Sequence, residues 1–183
     1  MRWWLRSLGI SATVGCAVGF AVGGTLGRVF MRILFLARED TLGFETAMGA
    51  IIGDFTSGGT ATIYAFGAIA GVALGVAYAV GRTLLPIGTR LRTIIFMLGT
   101  TAFMLGQIIR GNLEDFALLP VTLSLMLIIG SVALTAAPVP FFVERFAPDR
   151  ERRSGRIAQG VVLLGMAGFA AFGVTGIAMA YGA

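Results

Sequence analysis

The chain has 183 residues, of which 57% are hydrophobic and only 13% charged, with a mean hydropathy of +0.90. A water-soluble globule of this length could not cover so much apolar surface, so composition excludes that class. The net charge of +5 comes from 14 basic residues, all of them arginine, set against nine acids, and histidine is absent.

Without histidine the chain lacks the usual haem ligand, the commonest transition-metal ligand and the commonest general base. The single cysteine, Cys16, leaves no partner for an internal disulfide and no Cys-cluster metal site. We therefore expect no catalytic centre, no cofactor and no metal. The arginines lie in short segments between apolar runs, which points to membrane lipid headgroups as partners and away from nucleic acid.

A helix needs about 20 apolar residues to cross the hydrocarbon core, and five runs qualify. The first, over about 8–27, follows Arg2, Trp3, Trp4 and Arg6, an interfacial belt ahead of an apolar helix. Gly15, Gly19, Gly23 and Gly27 recur every four residues along it, a spacing that lets another backbone approach closely. The run is too long for the core of a cleaved secretory signal. Val14-Gly15-Cys16 has the outline of a lipoprotein cleavage box, but Thr13 stands where leucine is usual and the chain stays apolar to Gly27.

Residues 28–59 form the longest connection. Arg28 and Arg32, four apart, share a face if the first helix runs on, and repel one another there. Phe44, Met48, Ile51, Ile52 and Phe55 keep helical spacing with Glu45, Gly49 and Gly53 opposite, the pattern of a short interfacial helix. After Asp54, a serine or threonine can cap the second span, over about 60–80, whose Gly67, Gly71, Gly75 and Ala79 repeat the fourfold spacing. Two such stripes invite packing on each other within one subunit; a glycine-zipper interface between subunits is the alternative.

The third span, about 93–109, is the shortest, and its flanking Arg92 and Arg110 are expected to snorkel to the interfaces. The fourth, about 116–137, ends at Pro138-Val139-Pro140; Pro120 falls in its first turn, where proline is tolerated. Phe141 to Phe146 can rest in the interface, 149–156 reads as a solvated hinge, and a fifth span over about 157–181 carries Gly165, Gly168, Gly173 and Gly176. The expected fold is thus all-α: one polytopic membrane helical bundle of five transmembrane helices plus an interfacial helix.

Positive charge favours the cytoplasmic side. With the N-terminus inside, Arg2, Arg6, Arg82, Arg90, Arg92, Arg145, Arg150, Arg152, Arg153 and Arg156 lie inside, and only Arg28, Arg32, Arg38 and Arg110 outside. An odd number of spans then puts the C-terminus outside.

On that outer face Arg28, Arg32 and Arg110 could meet Glu45, Asp54, Glu114 and Asp115 and hold a lipid headgroup or small solute; alternatively these groups simply pair and cap helices. Interior polar groups such as Thr13, Thr25, Tyr78, Gln107, Thr100, Ser124, Ser131, Thr135, Gln159 and Thr175 are expected mostly to bond their own helix backbone. With no ionisable group deep in a span, ion-coupled transport loses support. The leading expectation is a noncatalytic structural or accessory membrane subunit, as monomer, homo-oligomer or part of a larger complex. The alternatives are a small channel or solute and lipid carrier using the outer cluster, and an enzyme on lipid headgroups with Asp54 or Glu114 as base.

The pattern Gly27-Arg28, Met31-Arg32, Gly43-Phe44-Glu45, Gly53-Asp54-Phe55-Thr56-Ser57-Gly58-Gly59-Thr60, Arg82 to Pro86, Glu114-Asp115-Phe116 and Leu119-Pro120 resembles a family of small multi-span integral membrane proteins common in actinobacteria. Members more often carry paired aspartates and a tryptophan where this chain has Thr41-Leu42 and Thr83-Leu84-Leu85. The resemblance implies a bacterial plasma membrane location and the polar outer surface, and no activity.

Overall fold

The structure, a computed structural model, describes residues 2–37, 56–84, 88–111 and 121–147. Among them every regular element is helical: α1 (Arg2–Val18), a π-helical turn (Gly19–Gly24), α2 (Thr25–Ala37), α3 (Ser57–Leu84), α4 (Thr89–Gly111), α5 (Val121–Ala136) and α6 (Pro138–Phe146). Four helical stretches are long and apolar enough to cross a membrane: Trp4–Leu34, Ser57–Leu84, Thr89–Arg110 and Thr122–Phe146. The all-helical membrane reading therefore holds for four spans, while the fifth span and the interfacial helix fall outside the described residues.

The helices overrun the expected limits. The first continues to Ala37 through the stretch read as a connection, because Leu26 to Leu36 stay helix-favouring and apolar on one side. The third reaches 22 residues once Thr89 to Arg92 and Arg110 join it, so it is not short. Its first turn is closed by the Arg92 amide bonding the Gly88 carbonyl at 3.1 Å. Thr56 caps α3: its Oγ1 accepts the Gly59 amide at 3.1 Å, the bond that satisfies an otherwise orphaned donor of a first turn.

Pro138 does not end the fourth span. Ala137 keeps helical angles (φ −59°, ψ −43°) and its amide still reaches the Ala133 carbonyl at 2.9 Å, and both prolines fall in the first turn of α6. Proline's missing N–H is harmless in a first turn and costly further in. The chain thus runs on as helix, and Glu144 is carried inward on the buried side of α6 with Val139, Pro140 and Val143, while Phe141, Phe142 and Phe146 stay exposed.

The central contact is α1 antiparallel to α3. A Cβ built on Gly15 would land on the Gly71 carbonyl, one on Gly75 on the Ser11 carbonyl, and one on Gly19 2.7 Å from the Gly71 Cα. Only glycine permits that separation, and the gain is dispersion contact along two backbones, the chief attraction left between helices in lipid. One core cluster joins Val18, Leu74, Tyr78, Phe96, Ala136, Val139 and Val143; a second joins Leu34, Leu105, Ile109 and Ile128. The bundle has a proximal end, with the starts of α1 and α4 and the ends of α3 and α6, and a distal end with α2 and the start of α3.

The glycine stripe is not followed to its end. An i→i+5 turn holds one residue more than an α turn, so the π turn sets back everything after it by about 100°. Gly24 takes the tight place, where a Cβ would be 2.7 Å from Tyr64 Cδ1, and the Gly24 amide lies 2.9 Å from a Cβ built on Gly67. Gly23 instead lies nearer Thr135 on α5, with a Cβ 3.3 Å from Thr135 Cγ2 and 3.7 Å from the Gly67 Cα, and Gly27 meets Ile63 on α3.

Candidate functional site

Two polar groupings stand out, one at each end of the bundle. The proximal one is centred on Glu144, the only carboxylate side chain among the described residues. Tyr78 Oη donates to Glu144 Oε1 at 2.8 Å, and Arg92 Nη1 donates to the same oxygen at 3.0 Å. Arg82 Nη1 lies 3.8 Å from Glu144 Oε2. Three helices are thereby joined at one carboxylate: α3 through Tyr78 and Arg82, α4 through Arg92, α6 through Glu144 itself. The two arginine side chains are 2% and 4% exposed and Glu144 22%.

Arg82 has a second task. Its guanidinium donates to the Val143 carbonyl at 3.3 Å and, through Nη2, to the Ala147 carbonyl at 3.3 Å. These carbonyls stand at the C-terminal end of α6, where the helix dipole is negative; Val143 also accepts the Ala147 amide at 2.9 Å, so the guanidinium uses its second lone pair. A cation at that point suits both features, which explains how a buried arginine is tolerated beside apolar Val139 and Val143.

Arg92 is where expectation and structure part. A snorkelling arginine would be exposed, yet this one is 3% exposed and folds back into the bundle. The reason is Glu144: a charge-assisted bond to a carboxylate competes with headgroup phosphate, and the proline junction brings that carboxylate within reach. Phe96 packs edge-on to the Tyr78 ring at a centroid distance of 5.0 Å, closing the apolar side of the network.

The distal grouping centres on Arg28. Its Nη2 donates to the Thr56 carbonyl at 3.2 Å and to Thr60 Oγ1, tying α2 to the first turn of α3. Arg28 is buried and Arg32 exposed, so the two do not share surroundings although they are four apart. Arg110 stands at the end of α4, on the same end of the bundle by topology. Glu45, Asp54, Glu114 and Asp115 lie outside the described residues. Arg28→Met should cost about 1.5–3 kcal/mol, the worth of hydrogen bonds to a charged group, read as a lowered unfolding midpoint in detergent.

Most interior hydroxyls bond their own backbone: Thr13 to Gly9, Thr100 to Phe96, Ser131 to Leu127 and Thr135 to Ser131, between 2.6 and 2.9 Å. Tyr78 is the exception that builds the proximal network. Ser124 is another: it is fully buried and its Oγ has no hydrogen-bond partner among the described residues. Replacing an unsatisfied buried hydroxyl by a methyl group removes a desolvation cost, so Ser124→Ala should raise stability by about 1 kcal/mol in the same unfolding assay.

The sequence reading put Arg82 and Arg92 in the connection between the second and third spans, whereas the structure has them inside α3 and α4, and it missed the Glu144 hub. One signal was available: Glu144 is the lone acid between Asp115 and Asp149, set in an apolar stretch where an unpaired carboxylate would be costly. No protein-family model, curated protein or solved structure matches this chain.

Proposed function

We propose that this chain is a noncatalytic structural or accessory subunit of a bacterial plasma membrane, set with its N-terminus in the cytoplasm and crossing five times. One observation carries the reading: the buried polar groups described at the proximal end join helices. Glu144 takes bonds from Tyr78 and Arg92 and faces Arg82, and Arg82 closes the end of α6. A transport site or an active site keeps such groups toward a ligand, whereas here they lock α3, α4 and α6 together. The glycine seam of α1 and α3 serves the same end within one chain.

The orientation rests on arginine placement, and the bacterial membrane on the resemblance carried by Gly53 to Thr60 and its companions. Arg6, Arg90 and Arg145 are exposed at the proximal end, beside the exposed Leu5, Leu91 and Phe146. Cations flanked by apolar side chains suit a leaflet of anionic phospholipid.

The test is the native mass of the gently extracted protein. A monomer, or a stoichiometric complex with other chains, is expected. A homo-oligomer that conducts ions or moves a solute in vesicles would replace this reading with the channel or carrier that uses Arg28, Arg32 and Arg110. A reporter fused at the C-terminus should read as outside; a cytoplasmic signal would remove the fifth span.

A further inference from the structure

We propose that the π turn is a one-residue register switch, in which Gly24 and Gly23 are alternative occupants of a single tight place against α3, and which turns Arg28 between the bundle and the lipid. This goes beyond the scaffold reading and does not depend on it.

Arg28 is nine residues beyond Gly19, and at about 100° per residue an unbroken α-helix would put it about 180° from Gly19, facing away from α3. Arg28 is nevertheless buried and bonded to Thr56 and Thr60 at the start of α3. The extra residue of the π turn supplies the difference, setting the arginine back to about 80° from Gly19.

Two glycines side by side make the other register possible. Gly24 occupies the place against Tyr64 and Gly67, which a Cβ could not enter; Gly23, one step earlier, also has no side chain and now lies nearer Thr135. Were the turn to relax to α, Gly23 would move into the place of Gly24. Leu26 would replace Gly27 opposite Ile63 Cγ2, the end of a side chain that can turn aside.

The two registers trade like for like. The π form keeps two polar links to α3. The Thr25 hydroxyl donates to the Ala21 carbonyl at 2.6 Å, so the Tyr64 hydroxyl must be the donor in its 3.1 Å bond to Thr25 Oγ1. The second link is Arg28 to Thr56 and Thr60. The α form gives up both and regains regular i→i+4 backbone bonds. Because the links lie on the same rotating segment, Thr25–Ala37, they are made or lost together, with Arg28 delivered to headgroup depth in the α form.

Cysteine pairs read the register in membranes, in a Cys16→Ala background. Gly27→Cys with Ile63→Cys reports the π form, and Leu26→Cys with Ile63→Cys the α form. In the parent, the 27–63 disulfide should dominate and the 26–63 disulfide form in minor yield. Gly23→Ala, which denies the α form its tight place, should abolish the 26–63 product. Gly24→Ala should make that product dominant, because its methyl group meets Tyr64 only in the π form. Deleting Ala21 leaves Gly24 four residues after Gly19 and should give the 27–63 product alone. A 26–63 yield unchanged by Gly23→Ala and by the deletion would overturn the switch, as would its absence from the parent; both readouts stand even if Gly24→Ala fails to fold.

Discussion

Glu144→Ala is expected to lower the stability of the folded chain by about 3 kcal/mol, the lower part of the range for removing one member of a buried ion pair. Two guanidiniums that are 2% and 4% exposed would lose the carboxylate they both face. The loss should far exceed that of Tyr78→Phe, which removes one bond to the same oxygen and should cost about 1 kcal/mol. Glu144→Gln separates charge from shape: it keeps an acceptor oxygen but not the charge, and should fall between the two. Denaturant titration of the three variants in detergent measures this order. A Glu144→Ala variant no weaker than Tyr78→Phe would mean that the carboxylate does not hold the two arginines and is incidental.

Gly71→Ala should be as damaging, for a steric reason. Its new Cβ would clash with the Gly15 carbonyl oxygen, and Gly19 Cα lies 2.8 Å from the same point. A clashing side chain can change rotamer, but a backbone carbonyl in a helix can move only with the helix. α1 and α3 must separate along the seam, at about 3 kcal/mol or loss of the fold, the upper range for overpacking. Gly130→Ala is the control, since no atom of the described residues lies within 4 Å of a Cβ there; helix propensity alone predicts a gain of about 1 kcal/mol. The comparison isolates contact from propensity. Equal unfolding midpoints for the two variants would show that the helices are not held at this distance.

The contrast between these two glycines shows what a stripe in the sequence can convey. Fourfold spacing identified Gly15, Gly19, Gly67, Gly71 and Gly75 as small positions on a common face, and the structure puts these five in the α1–α3 seam. Gly23 had the same spacing but sits at the edge of the seam, a Cβ there being 3.3 Å from Thr135 Cγ2 on α5 and 3.7 Å from the Gly67 Cα, while Gly24, outside the stripe, takes the tight place. Spacing assumes one helical pitch throughout, and a π turn breaks that assumption without leaving a local mark except the doubled glycine.

Membrane character followed from composition, because apolar runs of this length have few other environments; the four described spans required only counting. The cap at Thr56 was equally local, a hydroxyl placed where a first turn has spare amides. The fates of Arg28, Arg82, Arg92 and Glu144 were not local. An arginine at a helix end can satisfy itself on lipid phosphate or on another helix, and its own neighbours in sequence are the same in both cases. Only the tertiary structure decided, by bringing the α6 carboxylate and its terminal carbonyls to the ends of α3 and α4, and by turning Arg28 onto the first turn of α3.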